Sequence, residues 1–379
     1  MIKTSDKKTI GNKKIGITLS GGGIRATIFH LGILKRLAEE NSLENIRSIS
    51  SVSGGSLCIG LIYSHNNLVW PTSEQYLCSV LPSIEKVLVD TDIQLTAITR
   101  LICSPWNLGR KVNLLARVLS DKWGIHGNIC DLQAEPSWCV NCTTFETGKR
   151  FKITPALMGD YKVGYVDHPE FPIADAIAAS AGFPILVGPY RLSYTLFDWC
   201  ESKYEKKNDY KIQGKKIHLW DGGVYDNLGL EALYKMSEGG QLESDIDYLL
   251  ISNASGDLGY QKRRVGFSGR GLLRLLDVSM DQVASLRMRS TMDMMVRKKN
   301  GTIYKIGNDA DFILGKSNVH DKDALIRGAL TKSQVDRISH YPTTLFKPSL
   351  EDYDLLLRQG YEVAKHTNLL VNELEGVTV

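Results

Sequence analysis

Four serines lie within the seven residues SSVSGGS, positions 50–56. Ser53 follows an apolar segment and precedes Gly54 and Gly55, an order typical of the sharp strand-to-helix turn that exposes a catalytic nucleophile. Such a turn needs small residues two positions before and after the nucleophile, and Ser51 and Gly55 are small. The pattern predicts a Ser53 hydroxyl at the positive end of a helix, ready to attack a carbonyl carbon. For this stretch alone, a serine N-cap with a glycine turn is an equally good interpretation.

A glycine segment, GGGIR at residues 21–25, follows a β-like run and opens a helical pattern. Glycines at a helix start leave backbone N–H groups uncovered, and such donors can hold the negative oxygen that develops during acyl transfer. Arg25 places a positive charge in the first helical turn, where the helix dipole disfavours it. An anionic substrate group would explain a cation at this position.

The same glycines also fit the dinucleotide-binding pattern G-x-G-x-x-G/A, through Gly21, Gly23 and Ala26. That pattern expects an acidic residue about 20 positions later, at the end of the next strand, but the next predicted strand ends in serines. The alternative function is therefore a non-catalytic nucleotide- or membrane-binding module that uses residues 21–26. The P-loop motif G-x-x-x-x-G-K-[ST] does not occur in the sequence.

An aspartate followed by two glycines, Asp221-Gly222-Gly223, ends a short predicted strand. A carboxylate held on such a turn suits a general base, although a plain Asp-Gly turn is common. The eight histidines lie in no recognisable catalytic motif; His30 is predicted to be packed and His218 to face away from Asp221. A Ser–Asp dyad needs no histidine, because the aspartate itself accepts the serine proton.

Strands and helices in alternation must position these groups. Residues 15–19 and 46–51 are predicted strands, and residues 24–40 and 54–64 are predicted helices with apolar residues at helical spacing. Tight glycine junctions between a strand and a helix predict a parallel sheet with flanking helices. Further along the chain we expect a hairpin with Gly148 at its turn, a small-residue helix 174–180, strands 217–220, 248–252 and 302–306, and a helix 266–296.

One continuous domain, residues 1–379, is the simplest organisation, since no repeat or low-complexity linker interrupts it. We divide it into the glycine segment and serine turn (14–64), a helical insertion that is a candidate lid (65–137), the rest of the sheet with Asp221 (138–306) and a C-terminal helical region (307–379).

The composition excludes several classes of function. A hydrophobic content of 43% supports a large core, and a formal net charge of +4 is too small to indicate nucleic-acid binding. Neither a signal peptide nor an apolar run of membrane-spanning length is present, and seven cysteines, an odd number, favour a reducing cytoplasm. Cys139 and Cys142 are expected on opposite faces of a strand, which disfavours a metal or redox site.

Residues 262–299 combine ten Lys or Arg residues with three Asp residues and five of the eight methionines. A basic, methionine-rich helix suits docking on anionic lipid or lining an acyl pocket. An ordinary surface helix whose methionines pack on the core is the favoured interpretation, because the aspartates interrupt the basic face.

In their order along the chain, the glycine segment, the serine turn and Asp221-Gly222-Gly223 resemble the patatin-like phospholipase family. Gly21, Gly22 and Gly23 resemble its oxyanion loop, and Ser53 matches the nucleophile of its G-x-S-x-G motif, with Ser51 in place of the first glycine. Asp221 matches the aspartate of its D-G-[GA] motif, and residues 178–184 resemble its small-residue segment. The resemblance covers residues 14–252.

This resemblance implies a three-layer α/β/α fold with a mainly parallel central sheet. It implies that a Ser53–Asp221 dyad hydrolyses carboxylic esters of phospholipids or lysophospholipids through an acyl-enzyme, without a metal or other cofactor. Gly21, Gly22, Gly23 and Gly54 are the expected oxyanion donors, and Arg25 is expected to contact a substrate phosphate or to support the loop. The expected partners are a lipid substrate and, peripherally, the cytoplasmic surface of the inner membrane. Nucleic acid is not an expected partner.

Overall fold

The computed structural model describes residues 13–183, 188–200, 215–236, 239–256, 258–259 and 269–376. Its strands are β1 (Ile15–Leu19), β2 (Ile46–Ser51), β3 (Ser137–Thr144), β4 (Arg150–Ile153), β5 (Leu157–Asp160), β6 (Gly164–Asp167), β7 (Tyr190–Ser193), β8 (Lys216–Asp221), β9 (Tyr234–Lys235), β10 (Gln241–Leu242), β11 (Tyr248–Asn253) and β12 (Gly301–Lys305).

The α-helices alternate with these strands in the first part of the chain and cluster in its insertion and its C-terminal part. They are α1 (Gly23–Glu39), α2 (Gly54–Ser64), α3 (Ser73–Gln75), α4 (Leu81–Asp90), α5 (Ile93–Cys103), α6 (Lys111–Trp123), α7 (Ile173–Ser180), α8 (Gly223–Asp226), α9 (Gly269–Lys298), α10 (Ala310–Leu314), α11 (Lys322–Gly328), α12 (Lys332–Ser339) and α13 (Leu350–Leu374).

The centre of the sheet is parallel, in the order β12-β11-β1-β2-β3. All five residues of β1 are buried, as expected for a strand that is covered on both faces. Beyond β3 the sheet continues with the antiparallel strands β4, β5 and β6. The β3–β4 hairpin was predicted, and Gly148 in its turn has a φ of +64°. Strands β5, β6 and β7 were not predicted.

Strand β8 meets the end of β2 head-on. The first half of β3 pairs with β2, where Val140 lies beside Ser51, and its second half pairs antiparallel with β8, where Cys142 lies beside Asp221. Because β4 occupies the other edge of β3, β2 and β8 share one edge and run towards each other. The last residues of β2 and β8, Ser51 and Asp221, therefore pair with residues that are only two positions apart on β3.

The two faces of the sheet carry separate apolar cores, as the period-2 alternation of strand β11 shows. Tyr248 and Leu250 belong to the larger core together with helices α1 and α13, whereas Leu249 and Ile251 belong to a second core that includes Met295 of α9. Helices thus cover both faces. The predicted three-layer α/β/α fold is confirmed.

Most predicted elements lie within three residues of the observed ones, and α2 coincides with its prediction. Residues 65–137 contain helices α3 to α6, and residues 307–379 contain α10 to α13. Helix α9 begins at Gly269, while the predicted start at residue 266 and the cations at 262–264 lie outside the described residues.

Cys139 and Cys142 are both buried in β3, where burial raises the pKa of each thiol. Within the described residues, no group of three or more His, Cys, Asp or Glu side chains is arranged to hold a metal ion. Every helix in the part of the chain that the structure describes is too short or too polar to cross a bilayer.

Candidate active site

Ser53 lies at the turn between β2 and α2 with φ 49° and ψ −112°, a conformation that residues other than glycine rarely adopt. Its N–H donates to the hydroxyl of Ser180 at 2.9 Å, which helps to hold the turn. The turn packs so closely on β1 that a Cβ on Gly55 would lie 2.4 Å from the Leu19 carbonyl oxygen. The predicted steric requirement for a small residue at position 55 is confirmed.

Asp221 is the last residue of β8 and is 4% exposed. Its carboxylate accepts a hydrogen bond from the Gly223 N–H at 2.7 Å. Burial raises the pKa of Asp221 to about 7, and its interactions with the Gly223 N–H and the Ser53 hydroxyl counteract only part of that increase. A carboxyl group that titrates near neutral pH beside a serine hydroxyl can exchange a proton with it.

The glycine loop presents free donors beside Ser53. Gly22 and Gly23 have φ values of +144° and +62°, which side-chain-bearing residues rarely adopt; Gly22 is the N-cap of α1 and Gly23 is its first residue. In the described structure the N–H groups of Gly22, Gly23 and Gly54 enter no backbone hydrogen bond. The positive ends of α1 and α2 converge at this point, which favours a negative oxygen there.

Gly21 requires a correction as an oxyanion donor. Its N–H donates to the carbonyl oxygen of Asn227 at 3.2 Å, so that donor is already occupied. The position nevertheless lies against Ser53, since a Cβ on Gly21 would be 3.2 Å from the Ser53 Cβ. Gly21 therefore contributes the close approach of the loop, and the candidate donors are Gly22, Gly23 and Gly54.

Arg25 is 7% exposed and is directed away from solvent. Its Nε donates to the Ala254 carbonyl at 3.2 Å and its Nη1 to the Tyr341 carbonyl at 2.6 Å. Burial lowers the pKa of Arg25 to about 10, so the side chain stays charged at neutral pH. These contacts join α1, the helix that follows the glycine loop, to the distant segments that contain Ala254 and Tyr341. They match the loop-support role rather than a contact with substrate phosphate.

Ser180, at the end of α7, is a residue that sequence reasoning missed. Its hydroxyl accepts from the Ser53 N–H and donates to the Asn141 carbonyl at 2.8 Å, and its carbonyl accepts from the Gly222 N–H at 3.2 Å. It therefore links the nucleophile turn to the aspartate turn. The small residues around position 180 were noticed as a segment, but nothing in them indicated that this hydroxyl has a partner.

Two asparagines, also missed, tie the same pieces together. The amide of Asn141 donates to the Ser50 hydroxyl at 2.9 Å and to the Ser51 carbonyl at 3.0 Å. The Asn227 carbonyl accepts from the Gly21 N–H, and the Asn227 amide donates to the Ser255 hydroxyl at 2.8 Å. The glycine loop, the serine turn and the aspartate turn are thus one hydrogen-bonded unit.

The other serines of residues 50–56 are fully buried and bonded elsewhere. Ser50 donates to the Gly229 carbonyl at 2.6 Å, and the Ser51 hydroxyl contacts both Trp138 Nε1 at 2.8 Å and Ser56 at 2.9 Å. Ser53 alone in this stretch has a partly exposed side chain. These contacts distinguish a reachable hydroxyl from three structural ones.

The histidines lie as predicted. His30 is fully buried between the Ser252 hydroxyl and the Ser20 carbonyl, and burial lowers its pKa to about 4. His218 is on the opposite face of β8 from Asp221 and contacts Glu146 at 2.7 Å. Neither ring supplies a base to Ser53.

Helix α9 packs beside the aspartate turn. The Met280 methyl group lies against Gly223, and Arg287 contacts Asp226 at 3.5 Å and Glu231 at 3.0 Å. Met295 packs in the second core, as expected for a surface helix. Met280 adjoins the site, as expected for a helix that lines an acyl pocket. The outer face of this helix exposes large apolar side chains at Leu272, Leu275, Leu286 and Met292.

Comparisons with known proteins identify the family and the fold of the chain. The family model of patatin-like phospholipases matches residues 17–234. Human GIVD cytosolic phospholipase A2 has a similar fold, with a TM-score of 0.56 and 14% identity over 97% of this chain and 60% of that one. A complex of the same human enzyme with methyl gamma-linolenyl fluorophosphonate and terbium chloride gives a TM-score of 0.52 and 13% identity over the same shares of both chains.

At this identity, the likeness to the solved structures concerns the fold alone. The chain spans 60% of the length of the human enzyme's chain. A search of curated proteins found no match.

Proposed function

From the premise that this chain belongs to the patatin-like phospholipase family, we propose that it hydrolyses carboxylic esters of phospholipids or lysophospholipids with a Ser53–Asp221 dyad. Family membership supports lipid hydrolysis in general. The observation that carries the finer proposal is a strained, partly exposed Ser53 whose hydroxyl interacts with the buried Asp221 carboxyl, the pKa of which burial raises to about 7. A carboxylate with that pKa is a much stronger base than an ordinary aspartate.

In the first half of the reaction, the Asp221 carboxylate takes the Ser53 proton while Ser53 Oγ bonds to the ester carbonyl carbon. The carbonyl oxygen becomes an oxyanion, and the free N–H groups of Gly22, Gly23 and Gly54 are positioned to stabilise it. As the tetrahedral intermediate collapses, the ester C–O bond breaks. The protonated Asp221 returns its proton to the leaving alkoxide, and an acyl-serine remains.

In the second half, Asp221 deprotonates a water molecule that attacks the acyl-serine carbonyl. Breaking the Ser53 Oγ–acyl bond releases the free fatty acid, and the proton held by Asp221 returns to Ser53. No step needs a histidine, since the aspartate accepts and donates the proton in both halves.

The lipid nature of the substrate is supported by helix α9. Met280 lies against Gly223 beside the dyad, so an acyl chain bound there would contact a flexible, polarisable side chain. The exposed apolar residues of the same helix include Leu275, which is 62% exposed, and Leu286, which is 61% exposed. We propose that this face contacts the membrane surface during peripheral binding at the cytoplasmic side.

The test is labelling of the full chain with a fluorophosphonate probe, the inhibitor class present in the complex of the human enzyme. Wild type should be labelled at Ser53, and Ser53→Ala should be unlabelled while giving the same circular dichroism spectrum. Ser56→Ala is the matched control, because Ser56 is in the same turn but buried, and it should still be labelled. Lipid profiling of both proteins then identifies the ester that is cleaved.

Labelling that survives in Ser53→Ala would exclude this nucleophile. An unlabelled wild type that binds a nucleotide through residues 21–26 would instead favour the non-catalytic module.

A further inference from the structure

A cavity of about 270 Å³ lies between the start of α6 and the strands β7 and β8. Its lining contains four cations and two uncharged polar side chains: Arg110, Arg117, Arg191, Lys216, Asn113 and Ser193. Among the residues that the structure describes, no carboxylate lines it. Like charges at short distance repel each other, so a folded protein that gathers them without a counter-charge has a site for an anion.

Counter-charges from the rest of the protein are scarce here. Among the described residues, neither Arg110, Arg191 nor Lys216 forms a salt bridge within 4.0 Å. The exception is Arg117, whose charge acts on the Asp175 carboxyl, and Asp175 is itself held by the Tyr190 hydroxyl at 2.6 Å. The cavity therefore keeps a positive excess.

Arg191 is the most firmly positioned of the four cations. Its backbone N–H donates to the Asn113 side-chain oxygen at 3.2 Å, and its carbonyl accepts from the Asn113 amide at 3.3 Å. Its guanidinium lies against Gly109, where a Cβ would be 3.1 Å from Nη2. Its Nε is buried and has no hydrogen-bond partner among the described residues. A buried donor without an acceptor is costly unless a ligand supplies one.

Three of the four cations are arginines. Arg110 ends the 3-10 helix from which α6 continues directly, and Asn113 is in the first turn of α6. Planar guanidinium groups match the geometry of phosphate oxygens, which they bind in bidentate fashion.

We propose that this cavity binds the phosphate group of an anionic ligand that carries at least two negative charges. Lys216 and Asp221 are at opposite ends of β8, about 16 Å apart at the usual rise of a strand. The cavity is therefore a second site, and the proposal does not depend on ester hydrolysis. The phosphate can belong to a soluble compound or to a lipid headgroup.

The direct test is calorimetric titration of inorganic pyrophosphate into the full chain carrying Ser53→Ala, so that hydrolysis does not interfere. Pyrophosphate should bind, and Arg191→Gln and Lys216→Gln should each weaken binding about tenfold, the usual effect of losing one charge-assisted hydrogen bond. Lys216 is exposed, so its substitution leaves the fold intact even if Arg191→Gln does not.

The matched control is Lys122→Gln, which removes an exposed cation from the same helix but outside the cavity. It should leave the affinity unchanged. If Lys122→Gln weakens binding as much as Lys216→Gln does, the attraction comes from the general positive charge of the surface and the proposal is overturned.

The source of the phosphate is decided with vesicles of phosphatidylcholine with and without phosphatidic acid. Trp106 is 79% exposed in the helical turn that ends at Arg110, so it would enter a bilayer beside the cavity. Vesicle binding that requires phosphatidic acid and is weakened by both Trp106→Ala and Lys216→Gln assigns the site to a lipid headgroup. Pyrophosphate binding that Trp106→Ala leaves intact, without vesicle binding, assigns it to a soluble ligand. Failure of both probes to bind overturns the proposal.

Discussion

The dyad and the basic cavity are two polar regions that differ in their relation to water. Asp221 is 4% exposed, and exclusion of water raises its pKa to about 7. Arg110, Arg117 and Lys216 remain exposed, so solvent and salt screen their charges. Burial thus creates reactivity in the first region, whereas an excess of one sign of charge creates attraction in the second.

Substitutions in the two regions should therefore have effects of very different size on activity and stability. In the buried region the polar groups hydrogen-bond one another rather than water, so one substitution leaves another group unsatisfied. At the exposed cations of the cavity, water replaces any contact that is lost, and the stability of the protein depends little on them.

The largest effect is expected for Asp221→Asn. The amide keeps the shape and the hydrogen bond from Gly223 but cannot accept the Ser53 proton, so ester hydrolysis should fall by roughly 10⁴-fold. The measurement is turnover of a lysophospholipid, with circular dichroism as the check on folding. Activity close to that of wild type in this variant would break the dyad proposal.

The pH dependence follows from the raised pKa of Asp221. Below about pH 7 the carboxyl is protonated, so kcat/KM of wild type should fall about tenfold per pH unit. The ordinary value of 3.8 applies to the unfolded chain, so the folded protein binds more protons between about pH 4 and 7 and loses stability as the pH rises through that range.

The same linkage predicts that Asp221→Asn stabilises the protein by roughly 4 kcal/mol at pH 8, and by less at pH 5. Urea unfolding at the two pH values measures this. An equal difference between wild type and variant at both values would mean that burial does not tune this carboxyl.

An intermediate effect is expected for Ser180→Ala. The change leaves the Ser53 N–H and the Asn141 carbonyl without their shared partner, which should cost about 1–3 kcal/mol of unfolding free energy. Activity should fall about tenfold, because the nucleophile turn is less firmly positioned.

Ser317→Ala is the control for Ser180→Ala, since it removes another buried hydroxyl that donates to a backbone carbonyl, that of Leu314 at 2.8 Å. It should lose stability but keep full activity. A similar loss of activity in both variants would mean that Ser180 acts only through overall stability.

The smallest effect is expected for Arg110→Gln, measured without added anion. Removing one of four like charges should change the unfolding free energy by less than about 0.5 kcal/mol, in the stabilising direction. Thermal unfolding at low and high salt checks this, because the difference should vanish when salt screens the repulsion. A marked destabilisation would show that Arg110 is a structural residue and would narrow the contrast with the dyad.

Much of the fold was predictable because its signals are local. Helix α2 was predicted at its observed bounds, since a serine turn, two glycines and an apolar run are consecutive in the sequence. The turn of the β3–β4 hairpin was predicted from Gly148 in the same way. Strands β5 to β7 were missed because each is only four residues long, too short for an alternation of apolar and polar residues to stand out in the sequence.

The groups available for chemistry can be read directly from the sequence: a serine in a tight turn, a glycine loop at a helix start, and an aspartate before two glycines. Long-range packing is what directs β8 head-on towards β2, lets Ser180 link the two turns, and brings Arg110 and Arg191 to one cavity. Such partners are far apart in the chain: Ser53 and Ser180 are separated by 127 positions, and Ser180 and Asn141 by 39. Burial, which sets the pKa of Asp221, depends on every element packed around that carboxyl, and no window of neighbouring residues encodes it.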